Sequence, residues 1–96
     1  MNLTEEKLME IQELASLLLE PEEVAILADI DLSGFLSQIQ RESGNAYLAY
    51  FRGKTATKKA IHENVIKMAK HGSPQAEDLA KELIFKQKLA EKRARK

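Results

Sequence analysis

The chain has no cysteine among its 96 residues, which excludes a disulfide framework, thiolate metal ligands and a cysteine nucleophile together. It has almost no strand signal: no alternating β-branched run, and no Asn-Gly or Asp-Gly between apolar segments. No apolar run approaches the roughly 20 residues that span a bilayer, and the acidic start Thr4-Glu5-Glu6 is unlike the basic front of a signal peptide. The expectation is a soluble intracellular protein with no membrane association. A chain this short buries a modest fraction of its surface, so partner subunits are expected to add stability.

What is present is charge, and it is separated. Net charge is zero, yet residues 1–31 hold nine acidic groups and one lysine (−8), while residues 32–96 hold fourteen basic and six acidic groups (+8). Such asymmetry suits either a half that seeks polyanions or head-to-tail attraction between subunits.

The fold class read from the pattern is all-α: an N-terminal helix, a helix-turn-helix unit, a long helix and a C-terminal helix. The two prolines, Pro21 and Pro74, each open a helix, where proline is tolerated. The first helix is expected over about Thr4–Leu19, with Thr4 as N-cap and Leu8, Ile11, Leu14, Ala15, Leu18 and Leu19 on one buried face. Lys7 stands where a capping box would prefer Glu. A second helix is read over about Pro21–Ala28, and a third runs from an Asp31 N-cap to about Arg41. Ser43-Gly44-Asn45 interrupts the periodicity and separates residues 1–44 from a long arm, residues 45–96. The long helix covers about Asn45–Lys70; Gly53 inside it costs about 1 kcal/mol relative to Ala, so a kink or split is an open alternative there. His71-Gly72 ends it, Ser73-Pro74 restarts the chain, and Ala76, Leu79, Ala80, Leu83 and Ile84 form the last face. After Leu89 no face remains to bury, and the tail is expected to fray.

Residues 21–39 match a DNA-binding helix-turn-helix position by position. The motif needs a small residue where its helices cross (Ala25), apolar neighbours one before and three after (Val24, Ala28), a plug after the turn (Ile30) and two inward residues on the second helix (Phe35, Ile39). The turn departs from the pattern in having Asp29 where glycine is usual, although Asp tolerates positive φ better than most residues. A plain helical corner is the alternative. Ser33, Gly34, Ser37, Gln38 and Arg41 would face a major groove, and Ser, Gln and Arg contact base edges. Residues 20–42 carry six acidic side chains and one basic one, whereas DNA affinity comes mainly from cations on phosphates. The attraction must then come from Arg52, Lys54, Lys58 and Lys59 on the long helix, and from Lys86, Lys88, Lys92, Arg93, Arg95 and Lys96 in the tail. The alternative for these cations is a solvated face and a solubilising tail.

No catalytic centre, metal site or cofactor site is read. Gly53-Lys54-Thr55 lacks the second glycine of a phosphate loop, since Leu48 occupies its place, and His62-Glu63 lacks the second histidine of a zinc motif, since Ile66 stands there. Tyr47, Tyr50 and Phe51 sit at helical spacing and are expected in the core, with base stacking beside Arg52 and Lys54 as the alternative.

Three segments in order carry a family resemblance: Pro-Glu-Glu-Val-Ala-Ile-Leu from Pro21, Ala-Tyr-Leu-Ala-Tyr-Phe-Arg-Gly-Lys from Ala46, and Met-Ala-Lys-His-Gly-Ser-Pro-Gln-Ala from Met68. Together they span about residues 21–80. The chain resembles phage and prophage terminase small subunits, the DNA-recognition components of genome packaging. The resemblance implies double-stranded DNA as ligand, assembly into a homo-oligomer, a separate large terminase subunit as partner, no enzymatic activity of its own, and the cytoplasm of a bacterial host. It also implies Ser33, Ser37, Gln38 and Arg41 as DNA-facing residues. A helical protein–protein interaction module and a small transcriptional regulator are the competing readings.

Overall fold

The computed structural model describes residues 2–95 and, among them, consists of five α-helices with no strand. They are α1 (Glu5–Ser16), α2 (Pro21–Ala28), α3 (Leu32–Arg41), α4 (Asn45–Lys70) and α5 (Pro74–Ala94). The chain divides into two compact units, Met1–Lys59 and Ala60–Lys96, so the division falls inside α4 and not before it. The reason lies in the first half of α4, whose Ala46 and Ala49 complete the core of the first unit.

That core is small: Ile11, Val24, Ala25, Ala28, Phe35, Ala46 and Ala49, rimmed by Leu8, Leu14, Leu19, Ile30, Ile39 and Tyr50. The starts of α1, α2, α3 and α5 are locally encoded. Thr4, Asp31 and Ser73 each accept a bond from the backbone N–H three residues on, at 3.1, 2.8 and 3.3 Å. The Glu23 carboxylate accepts from the Glu20 N–H at 2.9 Å at the start of α2. Lys7 has a use beyond its own helix. Its ammonium donates to the Ala28 carbonyl at 2.6 Å, placing a cation on the negative end of α2, and pairs with Glu10 at 3.3 Å.

Two expectations for the first helix are corrected. It stops at Ser16, not Leu19, and Leu18 turns away in a left-handed conformation (φ 64°) with its side chain exposed. The apolar spacing continues past the true end. The chain must leave the helix there for Leu19 to return to the core before Pro21 opens α2.

Gly53 does not split α4, which is continuous through it. The residue is buried against α1: a Cβ built there would collide with the Gln12 carbonyl group and meet Ala15. One turn later the Thr57 hydroxyl donates to the Ser16 carbonyl. Ala46, Ala49, Gly53 and Thr57 are thus the inward stripe of α4, made of small residues where large ones would hold the helices apart.

In the second unit, α4 ends on Gly72 (φ 90°), with the Ser73 N–H bonded to the Met68 carbonyl at 3.1 Å. Reduced exposure follows one stripe on each helix: His62, Val65 and Ala69 on α4, and Ala76, Ala80 and Leu83 on α5. The expected fraying after Leu89 is not found, since α5 runs to Ala94. Ala, Glu, Lys and Arg propagate a helix without a buried face.

Candidate nucleic-acid interface

The helix-turn-helix frame is built as its six residues require. Val24, Ala25, Ala28 and Phe35 are buried, and Ile30 and Ile39 rest against them. Asp29 adopts the left-handed conformation (φ 54°, ψ 51°) in place of glycine. The Ile30 N–H then reaches back to the Ala25 carbonyl at 3.1 Å, closing α2 and turning Ile30 inward as the plug. The Phe35 ring meets Tyr50 of α4 edge-on, with centroids 5.9 Å apart, so α3 is pinned from both α2 and α4.

On its other side α3 is open. Ser33, Ser37 and Arg41 are exposed, with the Arg41 Nε donating to the Ser37 carbonyl at 3.3 Å along the helix. Gln38 is corrected: it is buried and does not face solvent. Its Oε1 accepts from the Ala46 and Tyr47 N–H groups at 3.0 and 3.1 Å, capping α4 from the side. Gly44 leaves room for this, because a Cβ there would overlap the Gln38 amide. The amide that does stand on the open side is Gln40, which sequence reasoning missed. The signal was available: Gln38 lies three residues after Phe35 and next to Ile39, inside the buried arc, whereas Gln40 lies three after Ser37.

The cations divide between two places. Arg52, Lys54, Lys58 and Lys59 are exposed on the first half of α4. Lys54 Nζ stands 5.1 Å above the Phe51 ring, which tilts against Tyr47 at 5.7 Å. Phe51 is 45% exposed, so the core expectation fails for it and holds for Tyr50, which is half-buried. The Tyr50 hydroxyl donates to the Leu19 carbonyl at 3.1 Å. Burial, then the charges of Glu20 and Glu23, hold its pKa above the ordinary 10.0. Lys86, Lys88, Lys92, Arg93 and Arg95 are exposed on and just after α5; Lys96 lies outside the described residues. Residues 20–42 are negative, with Glu20, Glu22, Glu23, Asp29, Asp31 and Glu42 against Arg41, and α1 adds the Lys7 ammonium on the Ala28 carbonyl.

Two further features add no chemistry. His71 Nδ1 lies 2.7 Å from the Lys67 carbonyl, and no group of three or more metal-binding side chains converges among the described residues. A shallow groove between α1 and α4, lined by Met9, Gln12, Glu13, Ser16, Gly53 and Ala56, is open and mostly apolar. Among the described residues no helix is long and apolar enough to cross a membrane. Compared with models of known protein families, with curated proteins and with solved structures, the chain matches none.

Proposed function

We infer that this protein is a non-enzymatic DNA-binding protein, of the kind that terminase small subunits represent, acting as an oligomer. The observation that carries the reading is the two-sidedness of α3. Its inner side is fixed by Phe35, Gln38 and Ile39, while its outer side offers two hydroxyls, an amide and a guanidinium from Ser33, Ser37, Gln40 and Arg41. A helix packed by its inner side, with hydrogen-bonding side chains exposed on its outer side, is what groove reading needs. Because the surrounding carboxylates repel phosphate, Arg52, Lys54 and Lys58 of α4 and Lys92, Arg93 and Arg95 of the chain end supply the attraction. In the packaging setting, DNA held this way would be handed to a large subunit carrying the ATPase and nuclease.

The acidic surround of α3 favours a second reading, in which the corner binds protein and not DNA. One titration separates the two: duplex DNA at about 50 and 200 mM salt, where neutralising several phosphates makes affinity fall by powers of ten. Replacing Lys92, Arg93 and Arg95 by Gln should flatten the salt slope by about 0.9 for each phosphate no longer neutralised. Absence of binding at the lower salt discards the DNA reading in favour of the interaction module. A transcriptional regulator would share this chemistry and differ in its target site.

A further inference from the structure

We propose that copies of this chain assemble head to tail, with the outer face of α5 from one copy seated on the acidic α1–α2 corner of the next. Each surface is apolar at its centre and charged around it, and the two charges are opposite. On the corner, the outward positions of α2 are Glu22, Glu23, Ile26 and Leu27, and Ile26 is 70% exposed. Leu17 and Leu18, in the turn before α2, are exposed as well. Residues 1–31 contain nine acidic groups and one cation, Lys7, whose ammonium is engaged by Glu10 and the Ala28 carbonyl.

On α5, Phe85 (63% exposed) and Leu89 stand four residues apart, on the side away from the Ala76–Ala80–Leu83 stripe. Lys81 lies one turn before Phe85 and Lys88 one turn after it, with Lys86 and Lys92 close by in the helix. Residues 81–95 carry six basic and two acidic groups. Leu, Ile and Phe side chains left this open favour burial against a partner, at about 25 cal/mol per Å² of apolar surface removed from water. Opposite potentials select which surfaces meet and in what orientation.

A second copy is the occupant because every chain carries both surfaces in equal number, and the charge of one half matches the other in size. The resulting interface joins two different patches, so it propagates into a ring or a filament. A surface pairing with itself would place like charges face to face. The inference gives a surface to the oligomer of the proposed function, and its test contains no DNA, so either can fail alone.

The test is sedimentation of the full-length protein from micromolar to near-millimolar concentration, at low salt and at about 1 M salt, where screening shortens to about 3 Å. Mass is expected to grow with concentration at low salt and to fall back at high salt. Glu22→Lys with Leu27→Lys spoils the corner, and Lys81→Glu with Lys88→Glu spoils the α5 face; all four positions are exposed. Each variant alone is expected to associate at least about tenfold more weakly. Their equimolar mixture regains at least the dimer, because one intact corner then meets one intact α5 face. Phe85→Ser with Leu89→Ser, at unchanged helicity, gives a second route to the same loss. A wild type that stays monomeric throughout overturns the proposal. So does either charge variant assembling like wild type on its own, or a mixture that stays apart.

Discussion

A single methyl group added at Gly53 tests how the first unit is held together. On an open helix Gly→Ala gains about 1 kcal/mol from propensity. At Gly53 the new carbon would intrude on the Gln12 carbonyl oxygen, with the carbonyl carbon at 2.9 Å and the Ala15 Cβ at 3.0 Å. These are mostly backbone atoms of α1, which cannot rotate aside, so α1 and α4 must separate. Overpacking of this kind costs about 1–3 kcal/mol, and an immovable neighbour puts it near the top of that range. Set against the propensity gain, the net loss is about 2 kcal/mol, or roughly 8–16 °C in Tm for a domain of this size. The chain has two tyrosines and no tryptophan, and Tyr47 and Tyr50 both lie in the first unit, so near-UV circular dichroism follows that unit selectively. Gly72→Ala is the control. Nothing lies within 4 Å of its added carbon, so only the left-handed backbone (φ 90°) resists it, at about 1–2 kcal/mol, and the tyrosine transition should stay in place. A Gly53→Ala protein whose tyrosine signal melts at or above the wild-type temperature would refute the close approach of α1 and α4 as the reason for glycine there.

Three further outcomes are expected. Gln38→Ala should lower stability by about 1–3 kcal/mol in urea unfolding, because it strips the acceptor from the N–H groups of Ala46 and Tyr47; Gln40→Ala should stay within about 0.5 kcal/mol and alter DNA sequence preference instead. Asp29→Gly should hold or raise stability by up to about 1 kcal/mol, and Asp29→Val should lower it by about 1–2 kcal/mol, since φ is 54° at that position. With Tyr50 held above 10.0 in the folded state, the stability it contributes is fully present below pH 10.0 and is lost as pH rises through the folded value. Tyr50→Phe should therefore lose about 0.5–1.5 kcal/mol at neutral pH, with its Leu19 bond, and give a flatter stability profile in alkali.

The residues legible in sequence were those whose role is local or follows one helix face. Thr4, Asp31 and Ser73 act as caps, and the six helix-turn-helix positions are buried or rest on the core. Even the left-handed Asp29 could be anticipated, because the motif demands that conformation at that place. What escaped was set by distant partners. Lys7 looks like a poor capping-box residue until Ala28 is brought beside it, and Gly53 looks like a weak point until α1 crosses it. Gln38 reads by chemistry alone as a base-contacting amide, whereas its position beside Ile39 puts it on the buried arc. The stripe Ala46–Ala49–Gly53–Thr57 was invisible to a search for large apolar residues, because helices that approach closely are marked by small ones. Leu18 shows the opposite error, an apolar residue that kept the helical period after the helix had ended.

Groove reading requires the outer side of α3 to touch DNA. The most direct measurement is a titration of isotopically labelled protein with duplex DNA at low salt, followed residue by residue through the backbone amide signals. Movement is expected at Ser33, Ser37, Gln40 and Arg41, joined by Lys54 and Lys58, with Phe35 and Gln38 nearly still. Shifts confined to residues 86–95, with α3 unmoved, would contradict recognition through this helix.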